Sequence, residues 1–374
     1  MQSDLMCSIE ELPEIPQQSI KAYKDRMGEL VEKVNSVMAS RADISMLTGG
    51  NPAGMMFDNH KNHALFMRNV FALNAWGLLV KTVPWVYRTY HNHGFDYEYF
   101  PAHLQSWVRA LGELLHPDDA APLISVYEWM LARHDDFIRA AQNYSPVLPE
   151  PSSEWKETFD AFVRGLLNAD RKACTQLAAR SVNSSAELAD FYLNVIQPAM
   201  YEVGRKWEAA EISVAGEHIA SAIVNRIMSM QYLEFMEQKD ETRGKAAISA
   251  GANEFHEIGT AMVANVMEAD GWDVAYLGAN TPAEELLEFI SAGDFDIAAI
   301  SVTMVFNLEY VRGVIRQIRS WPGHTQPWIM VGGLVFKESP ELSEKLGADG
   351  CAADCRQAAL LADRWMKKKA NETL

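Results

Sequence analysis

Apolar runs of membrane length are missing from this 374-residue chain. A bilayer-spanning helix takes about 20 apolar residues, and no stretch comes near that, so no membrane association is expected. Cysteine is scarce. Cys7, Cys174, Cys351 and Cys355 are scattered and form neither a disulfide framework nor a metal-ligand pattern. Cys351 and Cys355 stand at helix-turn spacing near a strand end and read as packing residues, and Cys7 reads as part of a mobile tail. The start, Met-Gln-Ser-Asp-Leu-Met-Cys, lacks the basic opening and apolar centre of a signal peptide, so the expected location is the cytoplasm. Basic charge is also short: 33 Lys and Arg stand against 50 Asp and Glu, a formal net charge of −17. Nucleic-acid binding needs a clustered basic face. Only Lys367-Lys368-Lys369 is densely basic and no helix-turn-helix pattern is present, so no nucleic-acid partner is expected.

What the chain does have is 48% hydrophobic residues and a length that suits two or three soluble domains. From about Gly244 short apolar runs alternate with amphipathic stretches. Strands are expected at 246–250, 274–277, 297–302, 328–331 and 350–352, and helices at 257–269, 282–292, 308–319, 338–346 and 356–368. Such alternation predicts a parallel, doubly wound sheet, here with the five strands of the flavodoxin-like form. Residues 152–240 read as four amphipathic helices, 154–167, 171–182, 186–208 and 214–238, joined by short breaks, as in a four-helix bundle. Ser145-Pro146-Val147-Leu148-Pro149-Glu150-Pro151-Ser152-Ser153 reads as a linker. Before it, helical patterns cover 17–40, 60–80, 84–91, 97–115 and 117–142, while 42–58 look irregular. The expected organisation is therefore multidomain α plus α/β, with domains at 1–145, 152–240 and 244–374.

The most informative stretch is Glu254-Phe255-His256-Glu257-Ile258-Gly259, which follows the strand 246–250. It puts an imidazole at the carboxyl edge of a parallel sheet, where open α/β sheets bind ligands. After Gly259 come 41 residues and then Ser301-Val302-Thr303; after Thr303 come 28 more and then Gly332-Gly333. Cobalt is well served by imidazole, and a metal-bound histidine usually sends its other ring nitrogen to a carboxylate, a role open to Glu254. Glycine at 259 allows close approach at a helix start. This set resembles the cobalamin-binding domain signature, although that family more often carries aspartate at the position of Glu254. The resemblance implies a Rossmann-type domain in which His256 is the lower cobalt ligand, with Ser301, Thr303, Gly332 and Gly333 lining the slot for the displaced nucleotide tail.

Within the bundle, Trp207 is followed after nine residues by Glu217-His218. This is similar to the Trp-x9-Glu-His motif of CarH-type light receptors, which hold adenosylcobalamin. It implies a helical cap in which Trp207 packs on the adenosyl group, Glu217 contacts its sugar, and His218 takes the upper cobalt position after light breaks the cobalt–carbon bond.

The first segment holds seven of the ten histidines, between His60 and His134, together with Trp76, Trp85, Trp107 and Trp129. It is expected to be a globin-like all-α domain. The whole layout resembles the photocobilins, or photoglobins, which implies biliverdin in the N-terminal domain; Arg68, Tyr87, Arg88 and His91 are the candidates to hold it. The leading expectation is thus a light-sensing signalling protein and not an enzyme, binding adenosylcobalamin and a bilin chromophore, passing its signal to a downstream protein partner or through a homodimer. The alternative is a corrinoid methyl carrier of a methyltransferase system. A mutase is disfavoured by the lack of a barrel domain, which takes about 250 residues, and a haem-binding gas sensor, with His91 or His103 as axial ligand, by the weak globin pattern.

Overall fold

The computed structural model of the protein describes residues 2–146, 148–235, 242–321 and 326–372. The chain divides into two compact units, Met1–Pro146 with Glu208–Glu211, and Val147–Trp207 with Ile212–Leu374.

The first unit is helical throughout its described residues, with long helices at Ala53–Leu73, Trp76–Asn92, Tyr99–Leu114 and Pro117–Ala132. Three expected helices are interrupted. The 17–40 stretch breaks at Arg26 and the 117–142 stretch at Arg133, where φ reaches −109° and −111°. The 60–80 stretch breaks at Asn74, whose φ of +46° closes the preceding helix, a conformation asparagine adopts more readily than most residues. Residues 42–58, expected to be irregular, hold the turn Ile44–Leu47 and the start of Ala53–Leu73. Pro84 lies inside Trp76–Asn92, not at a helix start. Cys7 belongs to the helix Gln2–Ser8, not to a loose tail. That helix is pinned by Trp129 Nε1 donating to the Ser8 carbonyl (3.2 Å) and Arg133 Nε to its hydroxyl (3.0 Å). Trp107, fully buried, stacks on Tyr127 at 6.0 Å and anchors an aromatic core.

We number the elements of the second unit from its start. Its helical part comprises α1 (Lys156–Leu167), α2 (Arg171–Ser181), α3 (188–208) and α4 (Val214–Phe235). The expected 186–208 helix is not uniform: Leu188–Phe191 leads into a π turn at Tyr192–Ile196 and then Gln197–Glu208. The expected extension of the last helix to residue 238, and the boundary at 240, lie outside the described residues.

The sheet part follows as β1 (Lys245–Ala250), α5 (Ile258–Ala269), β2 (Asp273–Gly278), α6 (Ala283–Gly293), β3 (Ile297–Ser301), α7 (Leu308–Arg319), β4 (Trp328–Gly332), α8 (Leu334–Glu338), α9 (Glu341–Leu346), β5 (Gly350–Ala352) and α10 (Cys355–Glu372). All pairings are parallel, in the order β2-β1-β3-β4-β5. Five consecutive buried residues, Ala246–Ala250, suit a central strand covered on both faces. The expected single helix over 338–346 is two short ones, because Ser339 leaves helical geometry ahead of Pro340.

Bundle and sheet share one core, in which Phe162, Phe191, Val195 and Ile227 pack in the same cluster as Ile248, Met267, Ile297 and Ala358. Polar ties cross it: Asn265 Nδ2 donates to the Tyr192 hydroxyl at 2.9 Å and Arg356 pairs with Asp190 at 2.6 Å. The sheet order reverses between β1 and β3, so the loops that leave those two strands diverge there. That crevice is the usual ligand position in open α/β sheets.

Candidate functional site

His256 sits in the loop after β1, with its side chain 58% exposed while that of Glu254 is fully buried. Its Nδ1 lies 2.5 Å from Glu254 Oε1, and its backbone N–H donates to the same oxygen at 3.3 Å. The second oxygen, Oε2, accepts from the loop after β3: Thr303 N at 2.8 Å, Met304 N at 3.0 Å and Asn307 Nδ2 at 3.2 Å. One carboxylate therefore ties the two diverging loops together at the switch point. With Nδ1 engaged, Nε2 is the ring nitrogen left to bind a metal, an arrangement in which the carboxylate fixes the tautomer and raises ligand basicity.

Burial alone would push Glu254 up, but the His256 hydrogen bond and charge, with the Met304 and Thr303 amides, outweigh it and hold the carboxyl below its ordinary range. Desolvation pulls His256 down; the Glu254 hydrogen bond and charge, together with the Glu217 carboxylate, reverse this and raise it. Glu217 on α4 thus lies within the electrostatic field of the histidine loop. The same helix reaches that loop again through Asn225 Nδ2, which donates to Glu257 Oε1 at 3.0 Å.

Gly333 carries a φ of +96°, and a Cβ there would lie 2.2 Å from the Val302 carbonyl oxygen. Only glycine fits. A Cβ at Gly332 would meet the Ala352 carbonyl at 3.1 Å. This pair lets β4 and its exit run close against the neighbouring strand ends. Gly259 differs: a Cβ there would meet nothing within 4 Å and its φ is ordinary, so the fold itself does not demand glycine at this helix start. Ser301 ends β3, where its carbonyl accepts from Gly251 N at 3.2 Å. Thr303 contributes its main-chain amide to Glu254. Two hydroxyls beside these loops have no partner among the described residues, Thr260 Oγ1 just after Gly259 and Tyr310 Oη on α7, whose ring lines the backbone of Gly251. Open space at Gly259 and the unpartnered hydroxyls of Thr260 and Tyr310 beside these loops fit a large amide-bearing group such as a corrin.

On the helical side Glu217 accepts from Ser221 Oγ at 2.6 Å and holds His218 Nδ1 at 2.6 Å, with the His218 side chain 73% exposed. Trp207 is half-buried near the end of α3. The four residues expected to hold a bilin have contacts within the first unit. Tyr87 is buried, stacks on Phe100 at 3.7 Å and bonds His134 Nδ1 at 3.1 Å. His91 stacks on Tyr97 at 4.0 Å with Nδ1 against the Phe95 carbonyl at 3.2 Å. Arg88 lies over the Tyr144 ring, 5.6 Å from its centre. Arg68, on a different helix, bears electrostatically on the Tyr23 hydroxyl in the Trp107 core.

Sequence reasoning missed Asn307, Met304, Asn280 and Asn225. Asn280 Oδ1 accepts from Asn253 N at 2.8 Å, and Asn280 N donates to the Glu254 carbonyl at 3.0 Å. The one available signal was Asn280-Thr281-Pro282, a cap-like triplet ahead of α6.

Among the described residues no helix is long and apolar enough to cross a membrane. Monomethylamine corrinoid protein 1 of Methanosarcina mazei is 24% identical over 219 residues, 57% of this chain and 99% of that protein. Dimethylamine corrinoid protein 2 of Methanosarcina acetivorans is 24% identical over 210 residues, 55% of this chain and 93% of its own. The solved monomethylamine corrinoid protein of Methanosarcina barkeri superposes with a TM-score of 0.49 at 21% identity, covering 56% of this chain and 98% of that one. The similarity to the two curated corrinoid proteins overturns the resemblance to photocobilins, and with it the light-sensing role, and biliverdin finds no support. Residues 244–360 match the B12 binding domain, and residues 158–231 match a second model of the same description. The second unit thus carries B12-binding domains, and its cofactor is a cobalamin-type corrinoid.

Proposed function

We propose that the protein is a corrinoid methyl carrier that serves a methyltransferase partner and is not itself the catalyst. A bound corrinoid supplies a cobalt centre able to take up and release a methyl group. His256 would hold the metal through Nε2, while Glu254 keeps the proton on Nδ1 and fixes the ring. Gly259 leaves the start of α5 open, and Ser301, Thr303, Gly332 and Gly333 would lie along the nucleotide tail. The α3–α4 end of the bundle, with Trp207, Glu217 and His218, would cover the cofactor and exclude water from it.

The observation that carries this reading is the Glu254–His256 pair at the β1/β3 switch point, supported by the similarity to methylamine corrinoid proteins. The test is direct. Loaded with methylcobalamin, the full chain should retain the cofactor through gel filtration and give up its methyl group to a thiol only when a corrinoid methyltransferase is added. Loss of all cobalamin on the column, or transfer at the rate of free methylcobalamin, would overturn it.

A further inference from the structure

α4 is apolar on two sides, and the chain covers one of them. Val224, Ile227 and Met228 are buried in the bundle core, yet Ile219, Met230 and Leu233 on another side are 46%, 52% and 83% exposed. Those three share a helix face with Ala222 and Arg226, a stripe about 20 Å long. Where α4 passes the turn between α1 and α2, Ile219, Ala222 and Arg226 line a groove together with Ala169, Arg171 and Lys172. Among the described residues none of the three cations pairs with an acid. That is unexpected in a chain with 50 acids against 33 bases, and Lys156, Arg243, Arg319 and Arg356 of the same unit are all paired. Arg171 and Lys172 open α2, the end of a helix dipole that disfavours cations. Ala169 has a φ of +54°, in the region where a side chain is disfavoured and glycine is the ordinary choice after a helix. Nothing in the fold favours these choices.

The outer side of α6 has the opposite character. Glu285, Glu288 and Ala292 lie exposed on one face with Phe289, which is 41% exposed and rests on Phe295 at 5.2 Å. Neither carboxylate has a partner among the described residues. Glu285 in the first turn suits the helix dipole; Glu288, a turn later, has no such reason. The 11 residues of α6 span about 16 Å, which fits along the stripe on α4. We propose that copies of this chain associate through these two faces: α6 of one copy lies in the α2–α4 groove of the next. Its carboxylates then face Arg171, Lys172 and Arg226, and the Phe289 ring meets Ile219 and Met230. Helix-in-groove docking uses apolar anchors a turn apart, with complementary charge to set the register. A net charge of −17 on each copy opposes non-specific contact, so a face that attracts has to be built locally. Each copy offers one groove and one α6, and the contact closes into a symmetric assembly or continues as an open one. Nothing in it involves the cofactor.

The experiment follows the full chain as purified by sedimentation velocity across the micromolar range, with thermal melts as a check on folding. The wild type should associate reversibly. The groove pair Lys172→Glu with Arg226→Glu, and the helix pair Glu285→Lys with Glu288→Lys, should each weaken association at least about a hundredfold, because like charges then face each other. An equimolar mixture of the two variants should associate again, since the reversed groove of one meets the reversed helix of the other. A misfolded variant cannot give that rescue. Should a reversed pair not fold, Arg226→Gln and Glu288→Gln replace it, and each should weaken association about tenfold. A wild type that stays monomeric overturns the proposal. Association that neither pair alters overturns it too, as does loss through both pairs without rescue on mixing. Loss through the groove pair alone also overturns it, and would assign the groove to an acidic protein other than this chain.

Discussion

Glu254 lies with one oxygen 2.5 Å from His256 Nδ1 and the other 2.8 Å from the main-chain amide of Thr303, 49 residues further along the chain. A fully buried carboxylate is costly unless every lone pair is used. Here it is used to join the loops that leave β1 and β3, so the imidazole is oriented before any metal arrives.

Replacing that carboxylate should therefore act on both stability and ligand binding. Glu254→Ala orphans the Thr303 and Met304 amides at about 1–3 kcal/mol for each buried unsatisfied group, and cobalamin affinity should fall about 10–100-fold. Equilibrium dialysis and thermal melts check the two effects separately. In the ligand-free protein the pH dependence has a defined sign. The lowered Glu254 contributes stability above its unfolded value of about 4.3 and loses it as pH falls through the lower folded value; the raised His256 contributes below about 6.5 and loses it as pH rises through the higher folded value. The pair should stabilise most between those limits, and Glu254→Gln should flatten the profile on both sides. A wild-type profile retained in that variant would refute the coupling.

A second pH effect belongs to the first unit. His60 donates Nδ1–H to Asn35 Oδ1 at 2.6 Å and accepts from the Tyr99 hydroxyl at 3.0 Å, which fixes a neutral ring. His103 stacks on it at 4.8 Å and accepts from Trp107 Nε1 at 2.8 Å. Burial pulls His60 down to about 4, and burial with the nearby His60 pulls His63 down to about 3. Below about pH 6.5 the unfolded chain takes protons that the folded one refuses. Stability should fall as pH drops from about 6.5 to about 4, by roughly 1.4 kcal/mol per unit for each group. Denaturant melts across this range should show the slope, and His60→Gln should remove about one proton from it.

The two glycine elements should behave in opposite ways. Gly333→Ala meets both a forbidden φ and the Val302 carbonyl, so a loss of at least about 2 kcal/mol is expected even without cofactor. Gly259→Ala meets nothing in the protein and should leave the ligand-free fold unchanged or steadier by about 0.5–1 kcal/mol. It should weaken cobalamin binding all the same, because its methyl enters the space above the helix start. Chemical denaturation and cobalamin titration of both variants distinguish these outcomes, and unimpaired binding by Gly259→Ala would refute the assigned space.

The histidine loop and the strands were legible because their signals are local. Ala246–Ala250 is an unbroken apolar run, α7 keeps its period from Leu308 to Arg319, and His256 stands between a strand and a glycine. What was not legible depends on residues distant in sequence or on small changes of period. Asn307 looks like an ordinary cap until Glu254 is brought against it. The breaks at Arg26 and Arg133 carry neither glycine nor proline. The light-sensing expectation came from Trp207, Glu217 and His218, three residues whose spacing speaks for a helical cap but does not say which cobalt chemistry lies beneath it.

The π turn at Tyr192–Ile196 has a consequence for the far end of its helix. One residue more than an α-helical turn needs is accommodated there, so the rest of α3 is rotated by about 100° relative to an uninterrupted rod. Excising a single residue from that wider turn would let the rod close up regularly. It would also swing the indole at 207 round the helix axis, away from whichever neighbour it now faces, without altering any side chain near the histidine loop.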